Sequence, residues 1–404
     1  RAATARAADP MTVDPMAAAQ ASVEMLARLV AHRTVSKDSN LGLIEDIRGY
    51  LAGLGIEARL VPNADGTKAN LVATIGPKVD GGAILSGHTD VVPVEGQPWS
   101  TDPFELVERD GRLYGRGSSD MKGFIAVALA LAPKLKTMKL ARPLHFCFSY
   151  DEEIGCFGAP HAIALFGKEL PRAALCIVGE PTSMRVVVAH KGICSNVAEA
   201  RGLEAHSSAP HLGCNSIVHM GRFLAFLDEL QRELVADGQT HALPGADFDP
   251  PYTTVGIGRI DGGTVVNIVP RDCRLSWELR PLPGVDAEAI YARALAKAAE
   301  IDAAMKRESP DAYFRVGKYA WVPACRPESD GLAQKLAMEL TGANGTAAVA
   351  FGTEAGQFQE AGISTVICGP GDIAVAHKTD EYTTRDQLAQ CEAFVLKLAA
   401  WAAR

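Results

Sequence analysis

Five segments of this chain carry a short apolar run into a histidine or a carboxylate. GGAILSGHTD ends in His88 and Asp90, and YGRGSSDMKG brings Asp120 out of a glycine turn. LHFCFSYDEE ends in Asp151, Glu152 and Glu153; ALCIVGEPT holds Glu180, and ISTVICGPGDIAVAH holds His377. Imidazole and carboxylate groups are the ligands that zinc and similar divalent ions take, and a two-metal site needs a carboxylate that bridges ions roughly 3.5–4 Å apart. Buried strands that end in such residues are how open α/β sheets build sites beyond their carboxyl ends. The spacing within the segments adds detail. Asp90 lies two residues after His88, on the same side of a strand, where its carboxylate is expected to accept the second imidazole N–H. In the DEE run, Glu152 and Glu153 point in different directions, so one can hold metal while the other moves protons. For Asp120 a bland reading competes, because it stands where a helix N-cap would sit before the apolar run 121–136.

The bulk numbers frame this chemistry. At 404 residues the chain exceeds what one hydrophobic core usually supports, so two domains are expected. Its net charge of −8 argues against nucleic acid as a partner. The longest strongly apolar stretch, Phe124 to Ala132, falls far short of the ~20 residues needed to cross a bilayer. Nine cysteines are scattered singly without a CxxC pair, which points to a reducing, cytoplasmic setting without disulfides and argues against a thiolate zinc site. Residues 1–10 look like a leader or a cloning remnant, and Met11 is a plausible start.

The elements follow from periodicity. Residues 14–57 read as helical, then glycine-punctuated strands lead to the apolar helix at 121–136 and the strand LHFCFSY. Beyond Lys191 the order becomes strand, amphipathic helix (215–233), two strands, a second helix (286–306) and a last strand to Val322. That β-α-β-β-α-β order is the split pattern of a ferredoxin-like layer. Helix–strand alternation resumes from Leu332 and delivers His377. The expectation is an α/β catalytic domain (11–189 and 323–404) with an inserted α+β domain at 190–322. His190, His211 and the Thr353–Glu354 pair in FGTEAG are further candidates near the site. His145, His161 and His219 read as core or surface residues.

SGHTDVVP, GRGSSDMKG, DEEIG, GEPT and GPGDIAVAHKTDEY together resemble the dinuclear-zinc deacylase and carboxypeptidase family, from about residue 14 to the C-terminus. The resemblance implies a zinc-peptidase-like catalytic domain with a ferredoxin-like lid that dimerises. It implies two Zn²⁺, for which Co²⁺ substitutes: His88, Asp120 and Glu180 on one, Asp120, Glu153 and His377 on the other. Glu152 becomes the catalytic base, and the peptide after Asp120 is expected to be cis. His206, in AEARGLEAHSSAPH, is expected to reach the partner's site in a homodimer. Asn267 and Arg280 fit positions that grasp the substrate carboxylate, and Thr353 joins them as a substrate-binding residue. The implied reaction removes the acyl group from a small N-acyl amino acid. N2-acetyl-L-ornithine is the expected substrate, and N-succinyl-diaminopimelate, other N-acyl amino acids and peptides are the alternatives. A non-catalytic metal-binding protein of the same fold would have lost the proton shuttle, yet Glu152 is present.

Overall fold

The computed structural model describes residues 15–238 and 246–404, so the expectation for residues 1–10 lies outside the described residues. The chain forms two compact units. One comprises the residues up to Val187 with 328–346 and 361–404; the other is Val188–Pro327 with Ala347–Glu360. The segment 347–360, which the sequence pattern leaves with the first domain, therefore clusters with the inserted one.

In the larger unit, neighbouring strands run in the order Ala58–Pro62, Ala69–Ile75, Leu144–Ser149, Gly82–His88, Ala173–Pro181 and Ser364–Gly369. The last four are mutually parallel, while Ala69–Ile75 pairs antiparallel with Leu144–Ser149. Their apolar runs explain the arrangement. Gly82–His88 and Leu144–Ser149 are buried at every position, as strands covered on both faces must be. Because the four strands point the same way, their carboxyl ends share one edge of the sheet. The helical reading of 14–57 resolves into Pro15–Val30 and Leu41–Gly53. Between them, the Asn40 side chain bonds Ala69 and Thr89. Helix Lys122–Thr137 is buried nearly all round and packs with Pro15–Val30 and Arg385–Ala402. Its Phe124 ring lies over Gly179, where an added Cβ would come within 2.0 Å of a ring carbon. Only glycine allows the helix to approach the strand that carries Glu180.

A separate small sheet joins Val107–Arg109, Arg112–Tyr114 and Tyr382–Thr384, with Tyr114 opposite Tyr382. It brings the strand that enters the Asp120 turn beside the strand that leaves the His377 loop. The Asp120–Met121 peptide is cis, as is Asp249–Pro250.

The inserted unit has the strand order Thr254–Gly262, Asp272–Arg280, Ile193–Arg201, Tyr313–Val322, with every neighbour antiparallel. Two helices, Ser216–Gly238 and Ala287–Glu308, complete the β-α-β-β-α-β order and the ferredoxin-like topology. Alternation built this sheet: Cys273, Leu275, Trp277 and Leu279 are buried, while Asp272, Arg274 and Ser276 are exposed. Phe223 lies at the centre of the core, with the rings of Phe314, Phe226 and Trp277 at 5.3, 5.8 and 5.9 Å. None of the nine cysteines is in a disulfide, and all nine are buried.

Candidate metal centre

Each expected ligand of the larger unit arrives at the shared sheet edge by a different local device. His88 is the last residue of its strand, Glu180 lies near the end of Ala173–Pro181, and Glu152 and Glu153 follow Leu144–Ser149. Asp120 closes the glycine turn before helix Lys122–Thr137. The residue at the N-cap position is Met121, and no side chain caps the helix. The carboxylate is thus not spent on the helix, which removes the capping alternative. His377 lies in a connection without helix or strand, at a φ of +62°.

The side chains converge about Asp120. Its Oδ1 lies 3.0 Å from His88 Nε2, and its Oδ2 lies 3.1 Å from His377 Nε2. His377 Nε2 is also 3.0 Å from Glu153 Oε2, and His88 Nε2 is 3.8 Å from Glu180 Oε1. Two ligand groups result, His88/Asp120/Glu180 and Asp120/Glu153/His377, each with donor atoms within 4.8 Å of one another. Ligands at 2.0–2.1 Å around a tetrahedral zinc stand about 3.3 Å apart, so these spacings suit such an ion. Oxygens Glu153 Oε1 and Glu180 Oε1 are buried without a hydrogen-bond partner. Orphaned carboxylate oxygens are costly in a protein interior, and a cation relieves that cost. The donor set therefore fits two divalent ions, with Asp120 shared between them.

The electrostatics agree. Burial, then the charge of Asp120, pushes Glu153 up to about 7, and the same two causes lift Glu180 well above the ordinary carboxyl range. Hydrogen bonds to Asp120 and Glu153 push His377 up to about 10. Burial alone would lower His88, but its bond to Asp120 and the charges of Glu180 and Glu152 hold it well above 6.5. Burial would likewise raise Asp120, and the bonds from both histidines hold it below the usual carboxylate range. Protons here balance a surplus of buried negative charge, the role that cations take over in a metal site.

The structure revises the expected part of Asp90. His88 Nδ1–H donates to the backbone carbonyl of Asp90 at 2.9 Å, while the carboxylate stands 3.7 Å away. That carboxylate accepts Ser36 Oγ–H at 2.6 Å and the backbone N–H groups of Glu152 and Glu153 at 3.1 and 3.3 Å. Asp90 thus holds the turn that presents both glutamates, because those amides lie closer to it than the ring does. Glu152 belongs to neither ligand group. Its Oε2 is 4.0 Å from His88 Nε2, and its Oε1 accepts the Cys156 thiol at 3.5 Å. Sequence reasoning overlooked Ser36 and Cys156, along with Gln97, Arg116 and Glu381. The last two were visible as unassigned charges inside GRGSSD and HKTDEY.

The remaining candidates belong to the inserted unit. His206 is exposed, and its Nδ1 accepts the Ser208 N–H at 3.2 Å, which leaves the ring proton on Nε2. Asn267 sits on the adjoining loop, and its backbone carbonyl accepts the Ser207 N–H at 3.0 Å. Arg280 pairs with Glu278, and the Thr353 hydroxyl accepts the Ala355 N–H at the start of a short helix. Glu354 beside it is buried. His190 is buried with both nitrogens engaged, Nδ1 to the Lys191 carbonyl and Nε2 to the Gly356 N–H. His211 is exposed in the turn Pro210–Leu212. A further ligand-type cluster joins Cys214, His219 and Glu308. There Arg222 donates to His219 Nδ1, so the Nε2 proton points at Glu308, and burial and Glu308 push the Cys214 thiol up to about 12. Hydrogen bonds already satisfy that cluster.

Comparison with known proteins agrees with this geometry. Residues 84–401 match the family described as Peptidase family M20/M25/M40. An acetylornithine deacetylase of Myxococcus xanthus is 37% identical over 380 residues, 93% of this chain and 96% of that protein. The acetylornithine deacetylase of Photorhabdus laumondii is 34% identical, over 89% and 91%. Among solved structures, an M20 family metallo-carboxypeptidase from Sulfolobus solfataricus superposes with a TM-score of 0.75 at 17% identity, covering 95% of this chain and 99% of its own. A dinuclear metal binding peptidase from Bacillus subtilis gives 0.63 at 16%, covering 96% and 98%. On this evidence the chain is a member of peptidase family M20/M25/M40.

Proposed function

We propose that this protein is a two-metal amide hydrolase that removes the acyl group from an N-acyl amino acid. Its first substrate is N2-acetyl-L-ornithine, cleaved to L-ornithine and acetate in arginine biosynthesis. The observation that carries the reading is Asp120, whose two oxygens each face a different histidine inside two complete ligand groups. The substrate rests on relatives named acetylornithine deacetylase at 33–37% identity over about nine tenths of the chain.

Two Zn²⁺ ions, or Co²⁺ in their place, would be held by His88, Asp120, Glu153, Glu180 and His377 and would supply Lewis-acid polarisation and a water acidified towards a pKa of ~7. Glu152 stands beside that centre without belonging to it, poised to take the proton of the attacking water. It then returns the proton to the amine nitrogen as the C–N bond breaks, so one group serves as base and as acid. Asp90 contributes by fixing the amides of the glutamate turn. Asn267 and Arg280 hold the substrate carboxylate, and Thr353 is assigned a part in binding the substrate.

The partner subunit's His206 would donate its Nε2–H to the oxygen that gains negative charge in the transition state. A homodimer through the inserted unit is supported by the edge strand Thr254–Gly262, which leaves Ile257 and Ile260 about half exposed. An unpaired strand edge flanked by apolar side chains is a ready surface for a second chain. No helix among the described residues is long and apolar enough to cross a membrane, and a cytoplasmic location is proposed from nine buried cysteines that form no disulfide.

The test is apo-protein reloaded with zinc or cobalt and assayed on N2-acetyl-L-ornithine, N-succinyl-diaminopimelate, other N-acyl amino acids and a dipeptide panel. Metal-dependent release of ornithine supports the reading. A dipeptide preferred over every acyl amino acid would reassign the protein to peptide cleavage, and no metal-dependent turnover would end the proposal.

A further inference from the structure

His88, Glu153 and Glu180 stand on or directly after buried strands, whose backbones fix them. His377 does not. It lies within residues 370–381, which form neither helix nor strand, its side chain is 51% exposed, and its backbone adopts a φ of +62°. A non-glycine residue persists there only where neighbours impose the conformation. Yet a metal ligand must be held to a few tenths of an ångström, because binding geometry leaves little slack.

A buried polar chain of contacts meets that need. Glu381 and Arg116 form an ion pair of 2.6 Å, and each side chain is about 1% exposed. The other Glu381 oxygen accepts the backbone N–H groups of Ser119 and Asp120, each at 2.9 Å. The Glu381 carbonyl accepts the Gly115 N–H at 2.9 Å. On the opposite side, Arg116 donates to Gln97 Oε1 at 2.6 Å and to the Lys378 carbonyl at 3.3 Å. Gln97 in turn donates from Nε2 to the carbonyl of His377 itself at 2.9 Å. Trp99 Nε1 bonds the same Gln97 oxygen at 3.0 Å, and its ring lies 5.1 Å from the guanidinium. The chain of contacts thus begins on the amide of one ligand, Asp120, and ends on the carbonyl of another, His377.

We propose that Glu381, acting through Arg116 and Gln97, is a positioning residue that registers the His377 loop against the Asp120 turn and so completes the Asp120/Glu153/His377 ligand group. An ion pair suits this task better than apolar packing, since a carboxylate accepts two amides and a guanidinium at once and a guanidinium forks to two acceptors. None of the ligands of the His88/Asp120/Glu180 group lies on that loop. Gln97, which bonds the His377 carbonyl and not Asp120, therefore bears on one cation site, whereas Glu381, through the Asp120 amide, touches both and bears most on the site of His377.

The inference rests on the two-metal reading, and a zinc titration separates the two. Apo-protein is titrated with zinc against a chromophoric chelator, for the native chain and for Gln97→Ala, Glu381→Gln and Arg116→Lys. Partners that support metal ligands typically contribute 10–100-fold to affinity. The expected result is a loss of that size at one of two sites, with a smaller loss at the other in Glu381→Gln, and with the other within about threefold and the thermal midpoint little changed in Gln97→Ala. Activity of Gln97→Ala should be low at two equivalents of zinc and return in excess zinc. If Glu381→Gln fails to fold, Gln97→Ala decides, because Gln97 is only partly buried and breaks the chain of contacts without unpairing the ions. Equal weakening of both sites, or unchanged affinities in every folded variant, overturns the proposal. A native chain that binds no zinc overturns the two-metal reading itself.

Discussion

Replacing Glu152 by glutamine separates proton transfer from metal binding at one atom. The amide keeps the length of the side chain and an oxygen able to accept the Cys156 thiol, which now bonds Glu152 at 3.5 Å. What it loses is the ability to take up a proton and one negative charge beside His88. General base catalysis contributes typically 10²–10⁴-fold, or ~2.7–5.4 kcal/mol at 1.36 kcal/mol per decade. The charge matters separately. Glu152 Oε2 stands 4.0 Å from His88 Nε2, and a unit charge at that range across an effective dielectric of ~20 is worth about 4 kcal/mol. Cation affinity should therefore fall as well, so the assay belongs in excess zinc. Under those conditions the variant should retain two metals per chain, measured by elemental analysis, while kcat for N2-acetyl-L-ornithine drops at least 100-fold. Glu153→Gln should instead lose one metal. A Glu152→Gln protein with more than a tenth of native kcat would place the base elsewhere. Loss of a metal at saturating zinc would make Glu152 a ligand.

Mixing His206→Ala with Glu152→Ala chains should restore part of the activity that each lacks, since a mixed dimer holds one intact centre and one intact partner histidine. No recovery after proven subunit exchange would confine His206 to its own chain or remove it from catalysis. Asp90→Ala should leave the Glu152 and Glu153 amides without an acceptor, at about 1–3 kcal/mol for each buried group, and lower both thermal midpoint and kcat. Asp90→Asn keeps an acceptor oxygen and should recover most of the midpoint; an Asp90→Ala chain of native stability and rate would refute the role. Acid should destabilise the fold through His145 and His190, which burial lowers from 6.5 to about 4. The unfolded chain then takes up their protons first, so the stability is whole above pH ~6.5 and drains away as pH falls towards ~4. Each contributes up to about 3 kcal/mol over that window. Urea unfolding at pH 7.5 and 5 should show a smaller drop for His145→Phe than for the native chain, and equal drops would contradict the assignment.

Much of this protein was legible in one dimension because its signals are local. An apolar run that ends in a histidine or carboxylate marks both a buried strand and what waits at its end, which is why His88, Glu180 and the run Asp151–Glu152–Glu153 stood out as candidates in the chain itself, while the choice of Glu153 within that run came from the family resemblance. The period-two pattern of Asp272–Arg280 and the amphipathic helices likewise announced the ferredoxin-like insertion. Tertiary structure decided whatever depends on partners distant in sequence. Asp120 faces two histidines rather than capping its helix, and the Asp90 carboxylate turns from the ring of His88 to amides 62 and 63 positions away. Arg116 finds Glu381 across 265 positions, and the 347–360 segment clusters with the insertion instead of the domain that flanks it. Periodicity records which face of an element is buried, whereas hydrogen bonds between loops depend on where folding brings their ends. Only the folded chain specifies those pairings.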